Sequence, residues 1–250
     1  MPSSKTDAIV LKVIDFSESS CVVTLFTRDF GKISGLAKGA RRPKSSFEAA
    51  LDLLAVCRIV FLHKSSDALD LLTEAKLERR FRAATRDLSR LYAGYYVAEL
   101  LIELTHEGDP HPDLYAAADA VLAALNDDGE IRRCVLRFEM TALRLLGHLP
   151  SLQACVECGR EVAAERRTPF GLLAGGVLCS AHRPGKRHVV ALSTAALEVL
   201  RCFAAKEDSW RNLNVDPRVW GELRGLMNQY FTHLTGHRLR MPRYLGALAD

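Results

Sequence analysis

No stretch of the chain approaches the roughly 20 consecutive apolar residues that a membrane-spanning helix requires. The opening segment, MPSSKTDAIVLKVIDFSESS, holds only a short apolar run before polar residues resume, so no secretory signal is expected. Phosphate-cradling and dinucleotide motifs are missing: there is no G-x-x-x-x-G-K-[ST] and no G-x-G-x-x-G. The zinc-protease H-E-x-x-H is absent, as is the paired H-x-E and P-C-x-x-C of zinc deaminases. Glu99 and Glu103 stand one helical turn apart, which an ordinary solvated helix face explains. His106, His111 and His148 fall at helix ends, where histidine is common for dipole reasons. No catalytic residue can be assigned, and enzymatic chemistry is not expected. The cysteine count of 7 is odd, and Cys21, Cys57, Cys134 and Cys202 lie in apolar stretches. Reduced, buried thiols suit a reducing cytoplasm better than a secreted disulfide framework. The default expectation is a soluble cytoplasmic protein.

What is present divides by period. Five short apolar runs precede residue 80: TDAIVLKVI, SCVVTLF, GKISGLA, VCRIVFLH and ALDLLTEAKL. Several are rich in β-branched residues and turns separate them, so they read as strands. Five strands suit a small antiparallel barrel better than a sandwich, which usually needs about seven. The OB-fold is the commonest five-stranded barrel that binds nucleic acid, and an SH3-like barrel is the alternative. Around residue 79 the spacing changes. Leu77, Phe81, Leu88, Leu91, Tyr95, Ala98, Leu101 and Ile102 recur at three- and four-residue intervals, predicting a helix that Glu107-Gly108-Asp109-Pro110 ends. Further helices are predicted over about 112–126, closed by Asn126-Asp127-Asp128-Gly129, and over about 130–147, with Gly147 as C-cap. Two more are predicted over about 193–206, with Ser193 as N-cap, and about 216–235, opened by Asp216-Pro217. The expected fold class is α+β. An OB-fold barrel spans 1–80, and a helical domain spans 81–250 with an inserted zinc-finger module at about 150–190.

That module rests on Cys155, Cys158, Cys179 and His182, spaced C-x2-C-x20-C-x2-H. Two arms with two intervening residues each are how tight turns grip a tetrahedral zinc ion. The stretch from Thr168 to Val177 reads as a β-hairpin that returns the second arm to the first. The bland alternative is four unrelated residues, one of them a core cysteine. With four protein ligands, one zinc ion would have no open position for water and would be structural.

Charge is also uneven. From Arg28 to Lys44 the chain carries Arg28, Lys32, Lys38, Arg41, Arg42 and Lys44 against Asp29 alone, six minus one, or +5. Gly39 and Pro43 break regular structure there, so a loop can present these cations to a polyanion. A solvated loop with no ligand is the alternative. Only Phe30 and Phe47 flank the cations, which favours tracking of a phosphate backbone over base stacking. Arg183, Lys186, Arg187 and His188 form a weaker cluster after the second cysteine arm.

The chain resembles the bacterial RecO recombination mediators over nearly its whole length. The resemblance is carried by Ala8-Ile9-Val10-Leu11, by Val23-Thr24-Leu25-Phe26-Thr27 with Gly31, and by Ala37-Lys38-Gly39-Ala40-Arg41. Leu71-Leu72-Thr73-Glu74-Ala75 and Gly147-His148-Leu149-Pro150 running into Cys155-Val156-Glu157-Cys158-Gly159 continue it, and the tail from Arg238 to Leu245 closes it. It implies an OB domain, a helical domain with a zinc module, and no catalysis. It further implies binding of single- and double-stranded DNA, annealing of complementary strands, and loading of the RecA recombinase onto DNA covered by single-strand-binding protein. The implied partners are RecR, in many bacteria RecF, and the acidic tail of the single-strand-binding protein; the implied location is the cytoplasm, at the nucleoid. Lys38 and Arg41 match the family's basic loop, whereas His182 stands where zinc-bearing members usually have a fourth cysteine. A zinc-containing protein-interaction adaptor without DNA binding is the competing expectation.

Overall fold

Alternation of apolar and polar side chains builds the first strands. In Gly31–Ala37 every second residue is buried, which turns one face of the pleat inward. The computed structural model describes residues 3–47, 50–63, 69–83, 87–127, 129–163, 166–205 and 208–245. Residues 68, 128 and 206, at the edges of an expected strand, turn and helix, lie outside the described residues. The chain forms two compact units, Met1–Gly129 and Glu130–Asp250.

In the first unit five strands appear where five were expected: β1 (Ser3–Asp15), β2 (Cys21–Thr27), β3 (Gly31–Ala37), β4 (Val56–Leu62) and β5 (Asp70–Arg79). They close into a barrel in the order β1-β2-β3-β5-β4. The β3–β5 pairing is parallel and the others are antiparallel. β1 serves two neighbours. Ser3 to Ile9 pair with β4, Ala8 to Asp15 pair with β2, and the β1–β2 register shifts between Val10 and Lys12. Such an irregularity bends a strand and lets it turn the barrel's corner. Ala8, Val10, Val23, Leu25, Ile33, Ile59, Phe61 and Leu72 fill the interior. Cys57 is fully buried among them, and burial, with the charges of Asp7 and Glu78, pushes its thiol up to about 12. It is an inert core thiol.

The unit also takes in two helices, α1 (Leu88–Leu104) and α2 (Pro112–Asn126). The Asp87 side chain accepts from the Ser89 N–H at 2.8 Å and opens α1; Pro112 stands in the first turn of α2. The helical spacing read from Leu77 and Phe81 began too early. Leu77 pairs with Cys57 across the β4–β5 ladder, and the helix starts at Leu88. A four-residue interval is shared by strand alternation and a helix face, so spacing alone did not separate them.

Gly31 joins the strands to the turn before α2. It has a φ of +65°, and a Cβ there would lie 2.1 Å from the backbone oxygen of Asp109. The Lys32 ammonium then reaches the end of α1, donating to the carbonyls of Ile102 at 2.5 Å and Thr105 at 2.6 Å. A cation on these orphan carbonyls is where the helix dipole favours one.

In the second unit α3 (Ile131–Leu145) is opened by Glu130, whose carboxylate accepts from the N–H groups of Arg132 and Arg133. Gly147, with φ +77°, follows its end as predicted. A hairpin of β6 (Arg167–Gly171) and β7 (Gly176–Val177) comes next, and β8 (Val189–Ser193), which the sequence reading lacked, pairs along the other side of β6. α4 (Thr194–Ala204), α5 (Pro217–Thr235) and α6 (Pro242–Leu245) complete the unit. Ser193 and Asp216 cap α4 and α5 as expected, each accepting a backbone N–H. No helix among the described residues is long and apolar enough to cross a membrane.

Two glycines separate steric crowding from backbone strain. Gly31→Ala should cost about 3 kcal/mol in urea unfolding, because clash adds to positive-φ strain. Gly108→Ala, at φ +72° in open space, should cost only about 1 kcal/mol. Equal losses would refute the close approach.

Candidate metal centre and basic surface

The two cysteine arms are folded together by backbone hydrogen bonds. The Gly159 N–H donates to the Cys155 carbonyl at 2.8 Å, and the Cys155 N–H donates to the Arg160 carbonyl at 2.8 Å, closing a tight turn around Cys155 to Cys158. Gly159, at φ +70°, supplies the left-handed residue that this turn needs. On the second arm the N–H groups of His182 and Arg183 both donate to the Cys179 carbonyl at 3.1 Å. The hairpin docks the arms: the Val156 N–H donates to Val177, and the Val177 N–H donates to Ser151. Gly176 makes this approach possible, since a Cβ there would lie 2.4 Å from the Ser151 oxygen.

The outcome is one cluster. The ligand atoms of Cys155, Cys158, Cys179 and His182 all lie within 4.8 Å of one another. The sulfurs of Cys158 and Cys179 are 4.0 Å apart, and Nδ1 of His182 is 3.1 Å from the Cys179 sulfur. A tetrahedral ion with metal–sulfur bonds of about 2.3 Å has edges of about 3.8 Å between sulfurs, so the set could hold a metal ion. Burial would raise the Cys155 thiol. Hydrogen bonds from the backbone N–H groups of Cys179, Glu157 and Cys158, and from the Cys179 side chain, outweigh it and lower the thiol to about 6. The donors therefore favour thiolate, the form that ligates. Arg160 also hydrogen-bonds the Cys158 sulfur, adding a cation beside the thiols. The sequence reading missed it; a cation two places past the first cysteine pair was the available signal. Lys186 pairs with Glu157 at 2.5 Å and links the arms from outside. Among the described residues no other group of three or more Cys, His, Asp or Glu side chains could hold a metal.

The six cations of the basic run do not share one role. Lys38, Arg41, Arg42 and Lys44 are exposed on the segment after β3. This segment is held to the β1–β2 turn: the Gly39 N–H donates to Ser20 Oγ at 3.2 Å and the Arg41 N–H donates to the Ser19 carbonyl at 3.1 Å. The Arg42 N–H closes onto Gly39, and the Ser45 hydroxyl donates to the Ala40 carbonyl at 2.9 Å. The Arg41 guanidinium meets Asp15. Arg28 lies elsewhere, 3.1 Å from an Asp7 oxygen and over the Tyr115 ring at 5.4 Å. Lys32, expected with the DNA-facing cations, instead has its ammonium on the α1 carbonyls. Its pKa is lowered by burial, against the opposing charges of Glu107 and Glu103.

The second unit holds a further feature that no sequence motif marks. Between α3 and α5 lies an apolar cavity walled by Val135, Leu136, Leu223 and Met227, with Arg132 at its polar edge. Glu139 is fully buried and meets the Arg224 guanidinium at 2.5 Å.

The chain thus joins a five-stranded barrel that bears a cation-rich segment to helices flanking a cysteine–histidine cluster. The family pattern described as "Recombination protein O N terminal" matches residues 1–81, and "Recombination protein O C terminal" matches residues 85–242. The DNA repair protein RecO of Rhodopirellula baltica is 42% identical over 262 aligned positions, covering 95% of this chain and 97% of that protein. Those of Anaeromyxobacter dehalogenans and Exiguobacterium sibiricum are 34% and 30% identical, each covering 98% of this chain and at least 96% of the relative. The chain belongs to the RecO family of DNA repair proteins.

Elemental analysis of the purified protein should find about one metal ion per chain. Cys155→Ser should release it and open residues 151–182 to proteolysis, with the barrel left intact. Full protease resistance in strong chelator would refute a metal-held fold.

Proposed function

We propose that this protein is a non-enzymatic DNA-binding recombination mediator. The barrel is an OB-fold, a reading supported by its five-stranded closure and the parallel β3–β5 pairing. It binds single- and double-stranded DNA through Lys38, Arg41, Arg42 and Lys44, with Arg28 at a second point. The observation that carries this reading is the exposed cation group, held in place by hydrogen bonds to the neighbouring hairpin. Such a surface neutralises phosphates without reading bases, and two strands that have lost their mutual repulsion can anneal. Acting with RecR, and with RecF where present, the protein helps load RecA onto DNA coated by single-strand-binding protein, in the cytoplasm at the nucleoid.

The cluster of three cysteines and His182 holds one structural zinc ion, as its soft donors and short edges support. The cavity between α3 and α5 receives the acidic tail of the single-strand-binding protein. Its apolar walls suit an aromatic side chain and Arg132 suits a carboxylate.

Replacing Lys38, Arg41 and Arg42 together with alanine should weaken DNA binding and reduce the salt slope by about 3. Anisotropy titrations at two salt concentrations measure both. No DNA affinity of the intact protein at low salt would favour the adaptor reading instead. For the cavity, Arg132→Glu should weaken a labelled acidic peptide ending in phenylalanine by about tenfold or more, while Arg238→Glu should leave it unchanged.

A further inference from the structure

The sequence placed only Phe30 and Phe47 near the cations, and the fold engages both rings in packing. Phe47 is 4% exposed in the core. Phe30 is 37% exposed, but its ring packs edge-on against Phe61, with centroids 5.2 Å apart. Phe16 is the opposite case. It is 65% exposed, at the point where β1 gives way to the turn before β2.

Its position is built rather than loose. The Phe16 N–H donates to the Ser20 carbonyl at 3.0 Å, the Ser17 N–H donates to the same carbonyl at 3.2 Å, and the Ser17 hydroxyl accepts from the Ser20 N–H. The same turn holds the basic segment through Ser19 and Ser20, and Asp15, beside Phe16, meets Arg41. Phe16 is thus an exposed aromatic residue whose backbone belongs to the turn that hydrogen-bonds the basic segment. Glu18 is the carboxylate at the tip of this turn, and Asp15 is already met by Arg41. A ring beside phosphate-binding cations is the combination that holds single strands, because every base offers a face to stack on. A duplex keeps its bases stacked inside and offers no such face.

We propose that Phe16 is a base-stacking residue that makes this surface prefer single-stranded over double-stranded nucleic acid. The inference rests on the reading of the Lys38–Lys44 segment as a phosphate-binding surface. Cations set affinity for either form, and Phe16 sets the difference between them.

The test compares Phe16→Ala, Phe16→Trp and the triple cation variant on a single-stranded oligonucleotide and on its duplex. Phe16→Ala should weaken single-strand binding about tenfold with the salt slope unchanged, and leave duplex binding within about twofold. Phe16→Trp should restore affinity. Its added fluorescence, taken as the difference from the parent with its 2 tryptophans, should be quenched by the single strand and not by the duplex. Equal loss on both forms, or no loss with Phe16→Ala, overturns the stacking role. If the triple variant also binds normally, the phosphate-binding reading fails with it; if only the triple variant is impaired, Phe16 alone is wrong. Concentration-dependent self-association that Phe16→Ala abolishes, with DNA binding unaffected, would assign the ring to a protein contact and overturn the proposal.

Discussion

One strand has to belong to two neighbours, and the barrel depends on that constraint. β1 runs 13 residues because its first half must pair with β4 and its second half with β2. Straight pairing cannot satisfy both, so the register shifts between Val10 and Lys12 and the strand turns. The Val10 carbonyl and N–H are then taken up by Leu54 and Ala55, which keeps the corner's polar groups satisfied. Everything placed on the far half of β1 follows from this bend. The turn after Asp15 projects beyond the ladder, the basic segment fastens to it, and an exposed ring results.

Much of this was legible because local pattern and fold agree. All five strand runs formed strands, and the helix starts at Ser193 and Asp216 followed from capping chemistry alone. The cysteine–histidine spacing also carried over, since two knuckles and a hairpin between them are local devices. What spacing could not supply was partnership across long separations. Lys32 looked like one more cation in a run, yet its ammonium finds carbonyls 70 and 73 residues away. Leu77 fitted a helix face until its partner Cys57 was known. β8 was hidden because it begins just past Lys186, Arg187 and His188, and it forms by pairing with the distant β6. Phe16 was overlooked for a related reason: exposure is not written in a residue's type.

The two units solve the same problem by different means. In the first, a closed ladder and an apolar interior position a polar surface loop. In the second, the segment between α3 and α4 turns Leu152, Phe170, Val177 and Leu178 inward, and three sulfurs with an imidazole gather beside them. Small elements commonly add a metal staple to their apolar contacts, and this cluster could hold one. The backbone donors aimed at Cys155 favour the thiolate form that a metal ion would require.

The division of labour within the basic run has a consequence for timing. Of six cations, Lys32 is committed to a helix end and Arg28 lies apart beside Asp7, so the loop itself carries four: Lys38, Arg41 (which also meets Asp15), Arg42 and Lys44. In the DNA-binding role proposed above, a grip on so few phosphates would release few counterions and let go quickly. Short dwell is what a hand-over requires. In the mediator role proposed above, strands brought together and then yielded to the next occupant are better served by a shallow hold than by a deep one.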